Sequence, residues 1–279
     1  MAIPDWQLPP GVDRGLWDYF HAANMVANYD DQMRTSPLAS ADVAFCERSF
    51  PVPGKLVDLG CGTGRLCVHF AAKGYDCVGV DLSEEMLAKA RENLPPHPPS
   101  LERKGEQKLG SEAPLPLGEG LGRGSASFVN ANLVDLSVLP EGSFDFAACL
   151  FSTLGMVRGQ ENRAKVLANV FRLLKPGGRF VLHVHNRFFR GLGLSRVGGQ
   201  FFRTLFERSS AGDITMSQAY GGAPLTLHHF MKREAVTMLW EAGFRTLDGL
   251  PLAAEGTRAG WPRALRAYGW LLLSERPEN

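Results

Sequence analysis

Apolar positions along the chain alternate between helical spacing and short continuous runs, and that alternation predicts an α/β fold. Residues 14–33 carry Leu16, Trp17, Phe20, Met25, Val26 and Tyr29 at mostly helical spacing, and residues 38–48 predict a second helix. Residues 55–58 (KLVD) form an apolar run ending in an acid and glycines, which reads as a strand. Residues 64–73 predict a helix stopped by Gly74, and residues 76–80 (DCVGV) a second strand. Ser83 is a good N-cap for the next helix, and Glu84 and Glu85 favour its positive end. Further strands are predicted at 127–131, 144–150 and 179–185, the second apolar enough to be buried on both faces. A helix at 160–174 ends at Lys175, Pro176, Gly177 and Gly178, all of them stop signals. Residues 186–227 read as irregular, 231–242 as a helix closed by Gly243, and 244–247 and 268–274 as final strands. Five strands with intervening helices imply right-handed crossovers and a parallel sheet.

One stretch breaks the rhythm. Residues 95–125 contain six prolines and six glycines, with four basic and four acidic residues that cancel. That composition predicts a disordered insertion.

Composition narrows the class. The chain has 279 residues, 44% hydrophobic and 21% charged, with a net charge of +1, values of a globular protein. The balance gives no global case for DNA or an anionic membrane as partner. Five cysteines in no paired or metal-like spacing read as reduced thiols of a cytosolic protein, and without C-x-x-C no metal is expected. The first residues lack a basic stretch followed by an apolar one, and no apolar run approaches a membrane span, so a cytoplasmic location is expected.

The sharpest signal is VDLGCGTGR at 57–65. A strand ends, the chain turns on alternating glycines, and a helix begins. Glycine allows positive φ and lets a ligand touch backbone. Asp81 ends the second strand, 21 residues after Gly60, where a carboxylate can accept from both ribose hydroxyls. The loop is G-x-G-x-G, with Arg65 in place of the last dinucleotide-fingerprint glycine. Asp58 before the loop would repel a pyrophosphate and suit a cationic tail. An adenosine bearing such a tail therefore fits better than a nicotinamide dinucleotide.

With VGVDLSEEML at 78–87, GSFDFAACL at 142–150 and LLKPGGRFVL at 173–182, the sequence resembles the class I S-adenosylmethionine-dependent methyltransferases over roughly residues 40–250. The resemblance implies a doubly wound, Rossmann-like sheet of seven strands, order 3-2-1-4-5-7-6, strand 7 antiparallel, with helices on both faces. Residues 1–50 would form an N-terminal helical cover. Residues 51–279 would form the methyltransferase domain, with the insertion at 95–125 and a lid or acceptor segment at 186–227. S-adenosyl-L-methionine would be the cofactor. Gly60, Cys61 and Gly62 would approach its methionine part, Asp58 its amino group, Asp81 its ribose, and Leu82 its adenine. Asn132 stands where the family often has an acid for the adenine amino group, and an amide oxygen can accept that bond. Leu133, Leu150 and Tyr29 complete the expected cofactor set.

On the acceptor side, Phe151 could wall the pocket and Ser152 could hydrogen-bond an acceptor. His183 and His185 share a strand face, and His185, nearer the carboxyl end, is the candidate base or donor. Residues 187–208 hold five arginines and five phenylalanines, which places Arg187 and Arg190 as candidates for an anionic aromatic acceptor. The expected activity is in-line methyl transfer to a small molecule. RNA or protein acceptors, and a cofactor-binding protein without transfer, stay open.

Overall fold

In the computed structural model, the described residues are 3–22, 25–95, 124–189, 199, 211–219, 223–261 and 263–278. Most of the 95–125 insertion, Arg190 and most of the 187–208 segment lie outside them.

Three helices open the chain: α1 (Arg14–Phe20), α2 (Met25–Thr35) and α3 (Pro37–Ser49). The single helical pattern expected at 14–33 is therefore two helices. The Asp13 carboxylate caps α1 through Leu16 N–H at 2.8 Å. Ser36 caps α3, whose first residue is the proline that position tolerates.

The central layer follows: β1 (Lys55–Leu59), α4 (Arg65–Ala71), β2 (Asp76–Asp81), α5 (Glu84–Asn93), β3 (Ala126–Asn130) and β4 (Phe144–Cys149). Then come the short α6 (Thr153–Met156), α7 (Gln160–Leu173) and the long β5 (Leu174–His185). Ser83 caps α5, accepting from Met86 N–H at 3.3 Å. After β5 the chain forms a hairpin of β6 (Asp213–Ala219) and β7 (Ala223–His228), a region expected to be irregular. The chain ends with α8 (Lys232–Glu241), β8 (Arg245–Leu252) and β9 (Gly269–Glu275).

The main sheet has the order β3-β2-β1-β4-β5-β9-β8. Strands β1 to β5 pair in parallel, and β9 runs antiparallel to both β5 and β8. This is the expected seven-stranded doubly wound sheet. Side-chain alternation along β1 decides what faces where. Val57 and Leu59 join one core with Val170, Phe230 and Leu239. Leu56 joins the other with Phe45, Cys67 and Phe70. Asp58 shares the face of Leu56 and so points toward α3 and α4.

The expected cover divides in two. Helix α3 contributes Phe45 and Cys46 to the core beneath the sheet, whereas α1 packs its Leu16 and Tyr19 against Leu225 and Leu227 of β7. Among the described residues no helix is long and apolar enough to cross a membrane, and no cluster of histidine, cysteine and acidic residues could hold a metal.

Candidate cofactor and acceptor site

The site lies beyond the carboxyl ends of β1, β2 and β4, where an open α/β sheet reverses direction. The strand ends at Leu59 and the loop turns on Gly60 and Gly62, with φ of +75° and +53°. A side chain at Gly60 would collide with Thr153, whose methyl lies 2.4 Å from the place a Cβ would take. Glycine is required there by both backbone and packing.

Asp81 ties this loop to the second strand. Its Oδ2 accepts from Gly62 N–H at 2.8 Å and its Oδ1 from Ser83 N–H at 2.9 Å. Burial still raises its carboxyl above the usual range, against those two bonds. Asp58 is 4% exposed, and burial lifts it to about 7, with Arg65 pulling it down and Asp81 and Asp42 pushing it up. A ligand cation beside it would favour its ionised form. From the cover, the Asp30 carboxylate receives the Thr63 hydroxyl and, at 2.9 Å, Asn93 Nδ2, so α2 is fastened to the glycine loop and to α5.

Two joined cavities open here. One is bordered by Gly60, Gly62, Asp81, Leu82, Asn132 and Leu133, and roofed by Pro10, Leu16, Tyr19, Phe20 and Tyr29. The other is bordered by Asp58, Cys61, Arg65, Leu150 and Phe151. Tyr19, Tyr29, Gly60, Thr153 and Met156 border both. All the residues expected on the cofactor side therefore meet around one space: Tyr29, Asp58, Gly60, Cys61, Gly62, Asp81, Leu82, Asn132, Leu133 and Leu150. Asn132 is partly engaged: its Nδ2 donates to Pro10 O at 2.8 Å, and its Oδ1 accepts from Val134 N–H at 3.0 Å. One lone pair of that oxygen is left for a ligand.

The donor set fits S-adenosylmethionine. A buried carboxyl with a raised pKa borders one cavity, a second carboxylate borders the other, and open glycine backbone lies between. Apolar Leu82, Met86 and Leu133 line the first cavity.

The acceptor-side candidates separate. Phe151 borders the second cavity, but Ser152, His185 and Arg187 border neither. Ser152 is fully buried, and its Oγ accepts from His185 N–H at 3.3 Å. Phe151 and Ser152 both have positive φ, +51° and +62°, a strained turn for residues with side chains. The His185 ring lies behind Phe151, 6.2 Å between centroids, and 4.7 Å from that of Tyr268. Burial, with His229 and His183 nearby, holds its pKa well below the usual histidine value. Arg187 is 3% exposed and pairs with Glu234 at 2.6 Å. The sequence makes Arg187 a candidate for an anionic acceptor. Here it closes a row with Glu234, His228, Asp213 and Arg158, each joined to the next, in which Arg187 and His228 are buried and the other three half-buried.

Sequence reasoning missed Tyr19, Thr153 and Met156. Tyr19 was visible as the partner, three residues on, of Leu16 along one apolar helix face. Thr153 and Met156 lie on a four-residue helix, too short to show a period.

A family model described as a methyltransferase domain matches residues 29–248. The chain belongs to that methyltransferase family, whose cofactor is S-adenosylmethionine. YqeM of Bacillus subtilis is 28% identical over 160 residues, 57% of this chain and 53% of its own. The ubiquinone biosynthesis O-methyltransferase of Methylococcus capsulatus is 27% identical over 156 residues, 56% of this chain and 54% of its own. The chain thus spans about half the length of these two curated relatives. A similar fold occurs in the 1,6-didemethyltoxoflavin-N1-methyltransferase of Burkholderia thailandensis, solved with S-adenosylhomocysteine. It matches at a TM-score of 0.54 and 18% identity, covering 99% of this chain and 93% of that one.

Proposed function

We propose that this protein transfers the methyl group of S-adenosylmethionine to an uncharged small molecule. The observation that carries the reading is the common wall of the two cavities. Tyr19, Tyr29, Thr153 and Met156 stand where the Asp58 side meets the Asp81 side, and the first cavity beside that wall is mostly apolar, with Leu16, Phe20, Leu82 and Met86. Asp58, Asp81 and Arg65 are the charged groups among the described lining residues. Two of the three are carboxylates, and the one cation among them, Arg65, already donates to Ala39 O, so the balance favours an acceptor without negative charge.

The bound cofactor supplies an electrophilic methyl on a sulfonium. The protein aligns and dries the site. Asp58 faces the ammonium, Asp81 receives the ribose hydroxyls, and the α1 and α2 cover keeps water out. Orientation of this kind is worth roughly 7–11 kcal/mol of barrier. His185 and Ser152 act as positioning residues: their hydrogen bond holds the turn that presents Phe151. Arg187 serves the ion row beneath the hairpin.

The test is incubation with methyl-labelled S-adenosylmethionine and a small-molecule extract separated by charge. Label should enter a neutral compound. Label found only in RNA, protein or an anionic compound would contradict the acceptor class. Cofactor bound with no transfer to any fraction would favour a binding protein without catalysis.

A further inference from the structure

The loop from β8 to β9, residues 253–268, contributes no described residue to the lining of either cavity, yet it lies at the same end of the sheet. Gly269, where β9 begins, pairs with His185, the last residue of β5, and with Leu252, the last of β8. The loop therefore stands beyond the carboxyl end of β5, beside the strand ends that carry the site.

Its backbone is held firmly. Ala259 N–H donates to Pro251 O and Tyr268 N–H to Leu252 O, both at 2.8 Å. Asn186 Nδ2 donates to Leu265 O at 3.3 Å and to Ala267 O at 2.9 Å, and Ala259 and Ala267 are buried. Ala264 N–H donates to Gly260 O at 2.9 Å, which puts Trp261 and Leu265 on one turn. The larger side chains face the other way. Trp261 is 79% exposed and Leu265 60%. Of the large apolar side chains exposed among the described residues, these two are the closest in sequence.

Charge tells what they would meet. From Gly256 to Ser274 the sequence holds three arginines, Arg258, Arg263 and Arg266, and no acid. Arg258 and Arg266 are exposed, and no ion pair engages either among the described residues. Glu255, just before this stretch, is exposed and accepts from Thr257 Oγ1 at 3.2 Å. The net charge of +1 for the whole chain hides this local excess.

We propose that this loop docks the protein on an anionic lipid surface, with Trp261 and Leu265 entering the headgroup region and Arg258 and Arg266 meeting lipid phosphates. Tryptophan favours the boundary between hydrocarbon and water. Arginines beside it gain from the negative potential of an anionic leaflet. Leucine has no π-face on which a base could stack, which sets lipid above nucleic acid. A second copy of the chain would bring the same arginines against each other in an isologous contact. Docking turns toward the bilayer the end of the sheet that carries the cavities. An uncharged acceptor, the class proposed above, is one that a bilayer can carry, but the docking depends neither on that acceptor nor on the cofactor.

The test is co-sedimentation of the full chain with sucrose-loaded vesicles of phosphatidylcholine, alone or mixed with phosphatidylglycerol. Binding should be confined to the mixed vesicles and should fall as salt rises. Arg258→Gln and Arg266→Gln should each weaken it by about fivefold, the value of one basic residue near such a surface. Trp261→Ser should weaken it at least as much. Melting temperatures should stay unchanged, since all three side chains are exposed. No binding to the mixed vesicles, equal binding to both kinds, or binding indifferent to the three substitutions would overturn the proposal. Tighter binding of polyuridylate RNA than of vesicles, lost in the same variants, would overturn it in favour of nucleic acid. A concentration-dependent dimer that Trp261→Ser dissolves would overturn it in favour of a second copy.

Discussion

Gly62 N–H donates to Asp81 Oδ2 at 2.8 Å, so the loop after β1 and the acid ending β2 hold each other in place before any ligand arrives. A prearranged carboxylate spends no ordering entropy when it meets a ribose. Asp81→Ala removes both the ligand contact and the loop's tether. S-adenosylhomocysteine affinity should fall about ten- to a hundredfold, as expected for loss of roughly 1.5–3 kcal/mol of charge-assisted bonding. Asp81→Asn can keep one acceptor and should fall less. Titration calorimetry on both folded variants checks this.

Asp58 makes binding depend on pH. Its folded pKa of about 7 lies above the ordinary carboxylate value because of burial. In the free protein this group's contribution to stability is fully present below the ordinary value and is lost as pH rises through about 7. A ligand ammonium favours the ionised form. Affinity for S-adenosylhomocysteine should therefore tighten with rising pH up to about 7, by as much as about tenfold per unit, and then level off. Protons should be released on binding below that point, visible as a buffer-dependent heat. In Asp58→Asn the dependence should vanish, and binding should be weaker.

How much of this was legible in the sequence depends on how local each signal is. The glycine loop and Asp81 were legible because a strand, a turn and an acid each leave a mark within about twenty residues. The sheet order came from the family resemblance that these motifs carry; the residues alone predicted only a parallel sheet. The β6–β7 hairpin was not, because β7 packs its Leu225 and Leu227 against α1, far earlier in the chain, and that partner is invisible to a local period. Arg187 was misjudged for a related reason. Its burial depends on Glu234, 47 residues later, which supplies the charge that makes a buried arginine tolerable.

The row Arg158, Asp213, His228, Glu234 and Arg187 predicts an acid limb of stability. Both nitrogens of His228 lie 2.7 Å from carboxylate oxygens, of Asp213 and Glu234. Partial burial pushes both acids up, yet the histidine holds both pKa values below the usual range. Depressed carboxylates contribute stability above their unfolded pKa and lose it as pH falls through the lower folded one. Below about pH 4 the melting temperature of the wild type should drop more steeply than that of His228→Phe.

Arg158 also holds the cover. Its backbone N–H donates to Gly11 O at 2.8 Å, and its Nε lies 2.9 Å from the α1 cap Asp13. Arg158→Ala should keep the fold, lower the melting temperature by about 2–4 °C, and speed proteolysis near the first helix. Saturating S-adenosylhomocysteine should slow that cleavage. Cleavage indifferent to the variant would mean the ion pair does not fasten the cover.

His185 separates positioning from base catalysis. His185→Phe keeps a ring between Phe151 and Tyr268. Cofactor affinity should stay within about 0.5 kcal/mol, as for a residue remote from the ligand. Transfer should fall by less than about tenfold, and the pH profile should keep its shape above pH 6. A loss of roughly 10²–10⁴ would make this histidine the base.

The central claim is that the joined cavities beside Asp58 and Asp81 hold S-adenosylmethionine. Calorimetric titration of the full chain with S-adenosylhomocysteine and, separately, with NADH tests it most directly. The account predicts saturable one-to-one binding of S-adenosylhomocysteine, with Kd in the range of about 1 μM to 1 mM where enzymes hold their ligands, and no saturable heat with NADH. Tight NADH binding, or none by S-adenosylhomocysteine in the folded protein, would contradict it.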